Sequence, residues 1–219
     1  MQVQQIINDH NADFMPNCPR SPVTDFARVN QLKHYFIKVA RQICPDYRIT
    51  QEQTLVINDI FNWCLMLQRN LDPNKGLWLH GDIGSGKTTM LKIVKRFCHD
   101  VRPKVNGDYY SFRISNAIEV CSEFSKKGYA GIETFIDSRC QAFDEIGSEC
   151  SPTGHYGTVE NVFQYIFQRR YDRRHESFTH VTSNLTEEQI IERYDERIFD
   201  RCKEMFNFVE FNGVTFRKK

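Results

Sequence analysis

The chain has 219 residues, 40% hydrophobic and 26% charged, a globular balance sufficient for one sizeable core. Its 29 basic and 28 acidic residues leave a formal net charge of +1, so no polybasic tail points to nucleic acid or membrane, and any such contact must come from a local patch. No apolar run approaches the ~18 residues of a membrane span, the start "MQVQQIINDHNADF" lacks a signal-peptide layout, and the eight cysteines form no CxxC pair or zinc-spaced cluster. These features lead us to expect a cytoplasmic protein with reduced thiols and no resident zinc.

Residues 1–22 are polar, carry three of the seven prolines and show no periodicity, which predicts a loosely structured arm. Two amphipathic helices follow. In "DFARVNQLKHYFIKVARQIC" Phe26, Val29, Leu32, Phe36, Val39 and Ile43 recur at helical spacing, and "TQEQTLVINDIFNWCLMLQ" opens with Thr50 and Gln53 as a capping box. Their apolar stripes serve either packing on the following domain or the binding of a partner. "NLDPNKG" is a turn and "GLWLH" a short buried strand. From there strands and helices alternate: helix "TTMLKIVKRFCHD", strand "DYYSFRIS", helix "SNAIEVCSEFSKK" capped by Ser115, strand "RCQAFDE", helix "TVENVFQYIFQRRYDRR", strand "FTHVTSN" and helix "TEEQIIERYDERIFDRCKEM". This order predicts an α/β fold with a central parallel sheet covered by helices. The tail "FNFVEFNGVTFRKK" reads as two short strands around an Asn212-Gly213 turn, with no further helix after it.

The chemistry concentrates at four places. Gly81-Asp82-Ile83-Gly84-Ser85-Gly86-Lys87-Thr88 fits GxxxxGK[ST] in full, between a strand and a helix, and Thr89 continues the helical turn. Such a loop turns backbone N–H groups onto phosphate oxygens, aims a helix N-terminus at them, sends Lys87 to the β- and γ-phosphates and offers the Thr88 hydroxyl to Mg²⁺. In "CQAFDEIGSE", Asp144 at a strand end is suited to hold Mg²⁺ and Glu145 to polarise an attacking water, a pair that favours ATP hydrolysis over phosphoryl transfer to a small molecule. Gln141 interrupts that otherwise apolar strand. Asn184 ends "FTHVTSN" on the same sheet edge, where it either positions water at the γ-phosphate or forms the turn before a helix capped by Thr186 and Gln189. Arg193, Arg197 and Arg201 recur every four residues on one predicted helical face, either a solvated face or a source of a guanidinium for a neighbouring subunit's ATP.

Together "GDIGSGKTT", "FDEIGSE", "THVTSNLTEEQIIERYDERIFDRC" and the tail ending "GVTFRKK" resemble the AAA+ ATPases of the DnaC and IstB group, which are bacterial replicative helicase loaders and transposition helpers. The resemblance covers roughly residues 50–219. It implies a P-loop NTPase of the AAA+ type, three-layer α/β/α, with a small N-terminal helical extension and no C-terminal helical lid: a flexible arm (1–22), an N-terminal helical segment (23–70) and an AAA+ ATPase domain (71–219). It further implies ATP and Mg²⁺ as cofactors, Asp144 and Glu145 as Walker B residues, Asn184 as sensor 1, and Arg201 as the arginine finger with Arg197 as second choice. Self-oligomerisation, contact with single-stranded DNA and a helicase or transposase partner are implied in the same way. "RY" late in the helix before sensor 1 is matched by Arg170-Tyr171. Three departures stand out: Asp195 replaces the glycine of "YGxRIxDR", His180 occupies an apolar strand position, and the zinc-bearing N-terminal module of some loaders is absent. For DNA, the sequence itself offers Lys126-Lys127-Gly128-Tyr129, which also reads as a helix-end charge complement, and the Arg169 to Arg174 cluster.

Overall fold

The structure is a computed structural model that describes residues 26–101 and 110–212. The predicted arm and the strand beyond Gly213 lie outside the described residues, as does the start of "DYYSFRIS". The described residues form two compact units, one built from those up to Pro73 together with those within Thr89–Ser111, the other from Asn74–Thr88 together with those from Phe112 to Asn212.

In the first unit, α1 (Phe26–Ile43), α2 (Thr54–Cys64) and most of α3 (Lys87–Val101) share a core. Leu32, Phe36 and Val39 of α1 are buried, and the rings of Phe36, Phe61 and Phe97 meet at centroid distances of 5.1 to 5.8 Å. The apolar stripes of the two predicted helices are therefore used largely in packing with a third helix. At the far end of α3, Tyr35 Oη donates to Asp100 Oδ2 at 2.7 Å. The capping box expected at Thr50 does not start α2. Thr50 Oγ1 accepts from Gln53 N at 3.3 Å, but this closes a separate turn, and the helix begins at Thr54 with no side-chain cap from Gln53.

The second unit is a five-stranded, all-parallel sheet of β1 (Gly76–His80), β2 (Arg113–Asn116), β3 (Cys140–Ile146), β6 (Phe178–Ser183) and β7 (Phe206–Glu210), in the order β2-β3-β6-β1-β7. Helices α4 (Ala117–Lys127), α5 (Tyr129–Asp137), α6 (Val162–Asp172), α7 (Glu187–Tyr194) and α8 (Glu196–Met205) contribute with the strands to one apolar core. Trp78, fully buried on β1, lies within 5.2 to 5.7 Å of Phe208, Phe206 and Phe167. Burying each such side chain supplies roughly 1.5–3 kcal/mol.

Several local expectations are corrected by tertiary contacts. Ser115 is not a cap: it is buried in β2 and accepts from Gln141 Nε2 at 3.1 Å, while Asn116 caps α4 by accepting from Ile118 N at 2.9 Å. The same bond explains the glutamine in β3, whose amide also reaches Ala142 O at 3.0 Å. His180 is likewise satisfied in the sheet. The β1–β6 ladder is registered at Trp78 and Val181, and the N–H of the preceding Leu77 donates to His180 Nδ1 at 3.1 Å.

Helix α5 is absent from the sequence reading, which passes from the helix ending at Lys127 to the strand "RCQAFDE". Gly131 permits close helix approach, since a Cβ there would lie 2.3 Å from Glu123 O. A two-stranded hairpin, β4 (Thr153–His155) and β5 (Thr158–Glu160), occupies the start of the predicted helix 158–174; α6 begins only at Val162, capped by Asn161. The predicted helix 186–205 is two helices. α7 carries the expected Thr186/Gln189 capping box, and the chain breaks at Asp195, whose φ of 84° and ψ of 146° suit glycine. Asp195 compensates by capping α8, accepting from Arg197 N at 2.7 Å.

Candidate nucleotide-binding site

The loop between β1 and α3 takes the conformation its glycines allow, with positive φ at Gly81, Gly84 and Gly86. Gly81 is constrained twice, by its φ of 126° and because a Cβ would lie 2.3 Å from Asn212 Oδ1. That amide oxygen accepts from Asp82 N at 3.1 Å and so ties the loop's first turn to the end of the sheet. Ile83 stands exposed at the loop's tip, whereas Ser85 is buried and donates to Asp82 O at 2.9 Å. Lys87 opens α3, and its Nζ donates to Gly81 O at 2.8 Å and Asp82 O at 2.6 Å. Burial lowers the Lys87 pKa, opposed by the charges of Asp82, Asp144 and Glu145. Thr89 follows in the first turn of α3.

Across the sheet edge, Asp144 collects two hydroxyls on one oxygen. Thr88 Oγ1 donates to Asp144 Oδ1 at 2.9 Å, and Thr182 Oγ1 donates to the same atom at 2.5 Å. Asp144 is 8% exposed. Glu145, next in the chain, is exposed and lies at φ 62°. Its carboxylate accepts from Asn116 Nδ2 at 3.0 Å, so the residue that caps α4 also restrains it. Lys87, Thr88, Asp144 and Glu145 are thus gathered at the carboxyl ends of β1 and β3, the two parallel strands on either side of β6, at the edge where such sheets bind ligands.

The donor set fits Mg²⁺. A hydroxyl and a carboxylate are hard oxygen ligands that leave most positions to phosphate and water, as magnesium prefers. Among the described residues no group of three His, Cys, Asp or Glu side chains is placed to hold a metal on its own.

The remaining predicted residues stand differently. Asn184 is exposed just beyond β6, and among the described residues no hydrogen bond joins it to Asp144 or Glu145. Arg193 lies on α7 and is separated from the other two arginines by the break at Asp195, so the three do not share one helix. Its Nε pairs at 3.0 Å with Glu149, a buried carboxylate that also accepts from Tyr194 Oη at 2.5 Å and Gly147 N at 2.7 Å. On α8, Arg197 is exposed, while Arg201 is partly buried over the Tyr171 ring at 5.0 Å. Arg201 Nη1 is buried without a hydrogen-bond partner among the described residues.

Several cations of the two candidate DNA patches are engaged in contacts within the chain. Arg170 is fully buried, and its guanidinium donates to Thr179 Oγ1 and to the carbonyls of Phe135, Ile136, Ser138 and Phe178. Arg173 pairs with Asp137, and Arg174 stacks on Tyr171 at 4.1 Å. Lys126 and Lys127 both bridge Glu123, at 3.0 and 2.9 Å. Arg169 remains exposed. The sequence reading missed the linking roles of Asn116 and Thr182; the polar ends of their strands were the available signal.

A parallel sheet in this order, with a glycine loop leading from β1 into a helix and an acidic pair ending β3, is the P-loop NTPase fold of the AAA+ type. The crystal structure of the DnaC helicase loader matches it with a TM-score of 0.56, covering 78% of this chain and 96% of that one at 15% identity. A crystal structure of a DNA replication initiation factor matches with a TM-score of 0.52 over 76% of this chain and 48% of that one, at 14% identity. The crystal structure of DnaI aligns over 93% and 95% of the two chains at 20% identity, with a TM-score of 0.46. No family model and no curated protein matches the sequence. At these identities the likeness is one of fold. Among the described residues no helix is long and apolar enough to cross a membrane.

Proposed function

We propose that the chain is an ATP-hydrolysing AAA+ protein of the DnaC/IstB group that acts on DNA, as a loader of a replicative helicase. The observation that carries the ATPase reading is the convergence of Thr88 and Thr182 on Asp144 Oδ1 beside the outward-turned Glu145. Thr88 and Asp144 would hold Mg²⁺, which supplies charge neutralisation at the β- and γ-phosphates when bound. The loop N–H groups and Lys87 bind and orient the phosphates, Glu145 takes the proton of the attacking water at its carboxylate, and Asn116 limits the rotamers from which it does so. Asn184, at the same sheet edge, contacts the γ-phosphate or the water in this scheme.

The shared site is completed by a neighbouring copy of the chain. Arg197 is exposed on the first turn of α8, whereas Arg201 would have to leave the Tyr171 ring, so Arg197 is the better presented of the two as a trans-acting guanidinium. Helicase loading is supported by the match to the DnaC helicase loader. The IstB-like alternative, a transposition helper, shares the same active site and differs only in partner. A small-molecule kinase is disfavoured by Glu145.

Lys87→Ala is expected to abolish nucleotide binding, and Glu145→Gln to leave binding intact while removing turnover. Undiminished turnover in the Glu145 variant rejects its role as base. Mixing the full chain with the replicative helicase or the transposase of the same source, followed by size exclusion, separates the loader from the transposition helper.

A further inference from the structure

Resting on the ATPase reading of this site, we propose that Thr182 is a positioning residue for hydrolysis: its hydroxyl replaces a ladder carbonyl, creates the bulge that turns Glu145 outward, and fixes Asp144. The β3–β6 ladder pairs Phe143 with Val181 and then Ile146 with Ser183. Three steps on β3 are thus matched by two on β6, which places one extra residue at Asp144-Glu145, opposite Thr182. Bulges are uncommon between parallel strands and re-aim side chains where they occur beside active sites. Here the result is a glutamate at φ 62° inside a strand, a conformation that costs a non-glycine residue energy unless its surroundings enforce it.

Thr182 provides that enforcement. Its Oγ1 accepts from Glu145 N at 2.9 Å. An oxygen already accepting there directs its own proton elsewhere, and that proton goes to Asp144 Oδ1 at 2.5 Å. One buried hydroxyl, 1% exposed, therefore sets both acidic residues at once. The next residue continues the substitution: Ser183 Oγ donates to Ile146 O at 2.8 Å and accepts from Leu185 N at 3.0 Å. Two successive hydroxyls on β6 thus stand where main-chain groups would complete a regular ladder. With only an apolar side chain at 182, the Glu145 N–H would be unpaired, and the ladder would gain by closing, which returns Glu145 to the alternation of the strand.

The test compares the full-length chain with Thr182→Val and Thr182→Ser, measuring Mg·ATP affinity and steady-state turnover. Valine keeps the shape and removes the hydroxyl. It is expected to hold affinity within about threefold and lower kcat by about 10- to 100-fold, the range for a misplaced catalytic group, while serine recovers at least tenfold of that loss. In a Glu145→Gln background, Thr182→Val is expected to change residual turnover by less than about twofold, because both substitutions disable one unit. Thr182→Ala carries the same comparison if the valine chain does not fold. An undiminished kcat without the hydroxyl, a serine variant as slow as valine, or a loss that multiplies on Glu145→Gln overturns the proposal. Equal turnover in wild type and Glu145→Gln overturns instead the reading of Glu145 on which the proposal rests.

Discussion

Arg170 gives the sharpest test of whether burial or charge pattern decides the role of a residue here. It belongs to a run of arginines that the sequence offers as a DNA contact, yet its side chain is fully buried and joins carbonyls at the end of α5, at Phe135 and Ile136, and that of the following Ser138 to the start of β6 at Phe178 and Thr179. Burial pulls the guanidinium down to about 10, so it stays cationic at pH 7. Arg170→Met removes five donors and leaves four carbonyls and a hydroxyl short of partners. Four N–H groups make these contacts, the two on Nη1 being shared among three carbonyls, and at ~1.5–3 kcal/mol each they give a gross loss of ~6–12 kcal/mol. Several kcal/mol return because a buried cation no longer has to be desolvated, leaving a net loss of ~3–5 kcal/mol. With a urea slope of ~2 kcal/mol/M, the midpoint should fall by about 2 M, followed through the fluorescence of Trp78 in the same core. Arg170→Lys, which cannot reproduce the fork, should fall in between. A midpoint unchanged within ~0.3 M, together with weakened binding to single-stranded DNA, would refute this reasoning and return Arg170 to the surface role.

Asp195→Gly should stabilise the second unit by ~1 kcal/mol, because relief of ~1–3 kcal/mol of backbone strain outweighs the few tenths lost with the cap and glycine's entropy in the unfolded chain. A thermal midpoint raised by ~2–4 °C supports this, and a lowered one rejects it. For the thiols, iodoacetamide at pH 8 should label exposed Cys150 ahead of half-buried Cys44 and Cys140, and leave Cys64, Cys98, Cys121 and Cys202 unmodified in the native state, as read by peptide mass spectrometry. Burial raises the Cys121 pKa from 9.0 to about 11. A thiol raised on folding contributes stability that is complete below its ordinary value and lost as pH climbs through the raised one, so stability should decline between pH 9 and 11 and do so less in Cys121→Ala.

The parts of this molecule legible in the sequence are those whose chemistry is local. The loop from Gly81 to Thr88 is specified by its own residue types, and the alternation of short apolar strands with amphipathic helices is enough for a parallel sheet. What stayed hidden depends on partners far along the chain. Arg193 and Arg197 look alike at four-residue spacing, but Glu149, 44 residues before Arg193, pairs with Arg193, while Arg197 stands exposed. The break between α7 and α8 is masked because aspartate occupies a conformation normally marked by glycine. The hairpin at 153–160 has strands of three residues, too short for an alternation to register. Gln141 and His180 look like flaws in buried strands until their amide and imidazole are seen completing hydrogen bonds that a side chain of leucine could not.

Strand order explains why the site needs a small hydroxylated residue on β6. The phosphate loop leaves β1, while the acidic pair ends β3, and β6 lies between them. With neighbouring strands ~4.8 Å apart, β1 and β3 are separated by ~10 Å. The Thr88 hydroxyl nevertheless reaches Asp144 Oδ1 at 2.9 Å, which requires the start of α3 to lean over the end of β6. Thr182 is the β6 residue beneath that crossing, paired across the sheet with Leu79, the last but one residue of β1. A longer side chain there would occupy the space between Thr88 and Asp144, and an apolar one would put no donor on the carboxylate. A threonine meets both demands, because its hydroxyl is short enough to stay below the contact and polar enough to join it. The order β2-β3-β6-β1 thus brings Asn116, Asp144 with Glu145, Thr182 and the Lys87-Thr88 pair to one edge, one contribution from each strand or the loop that follows it.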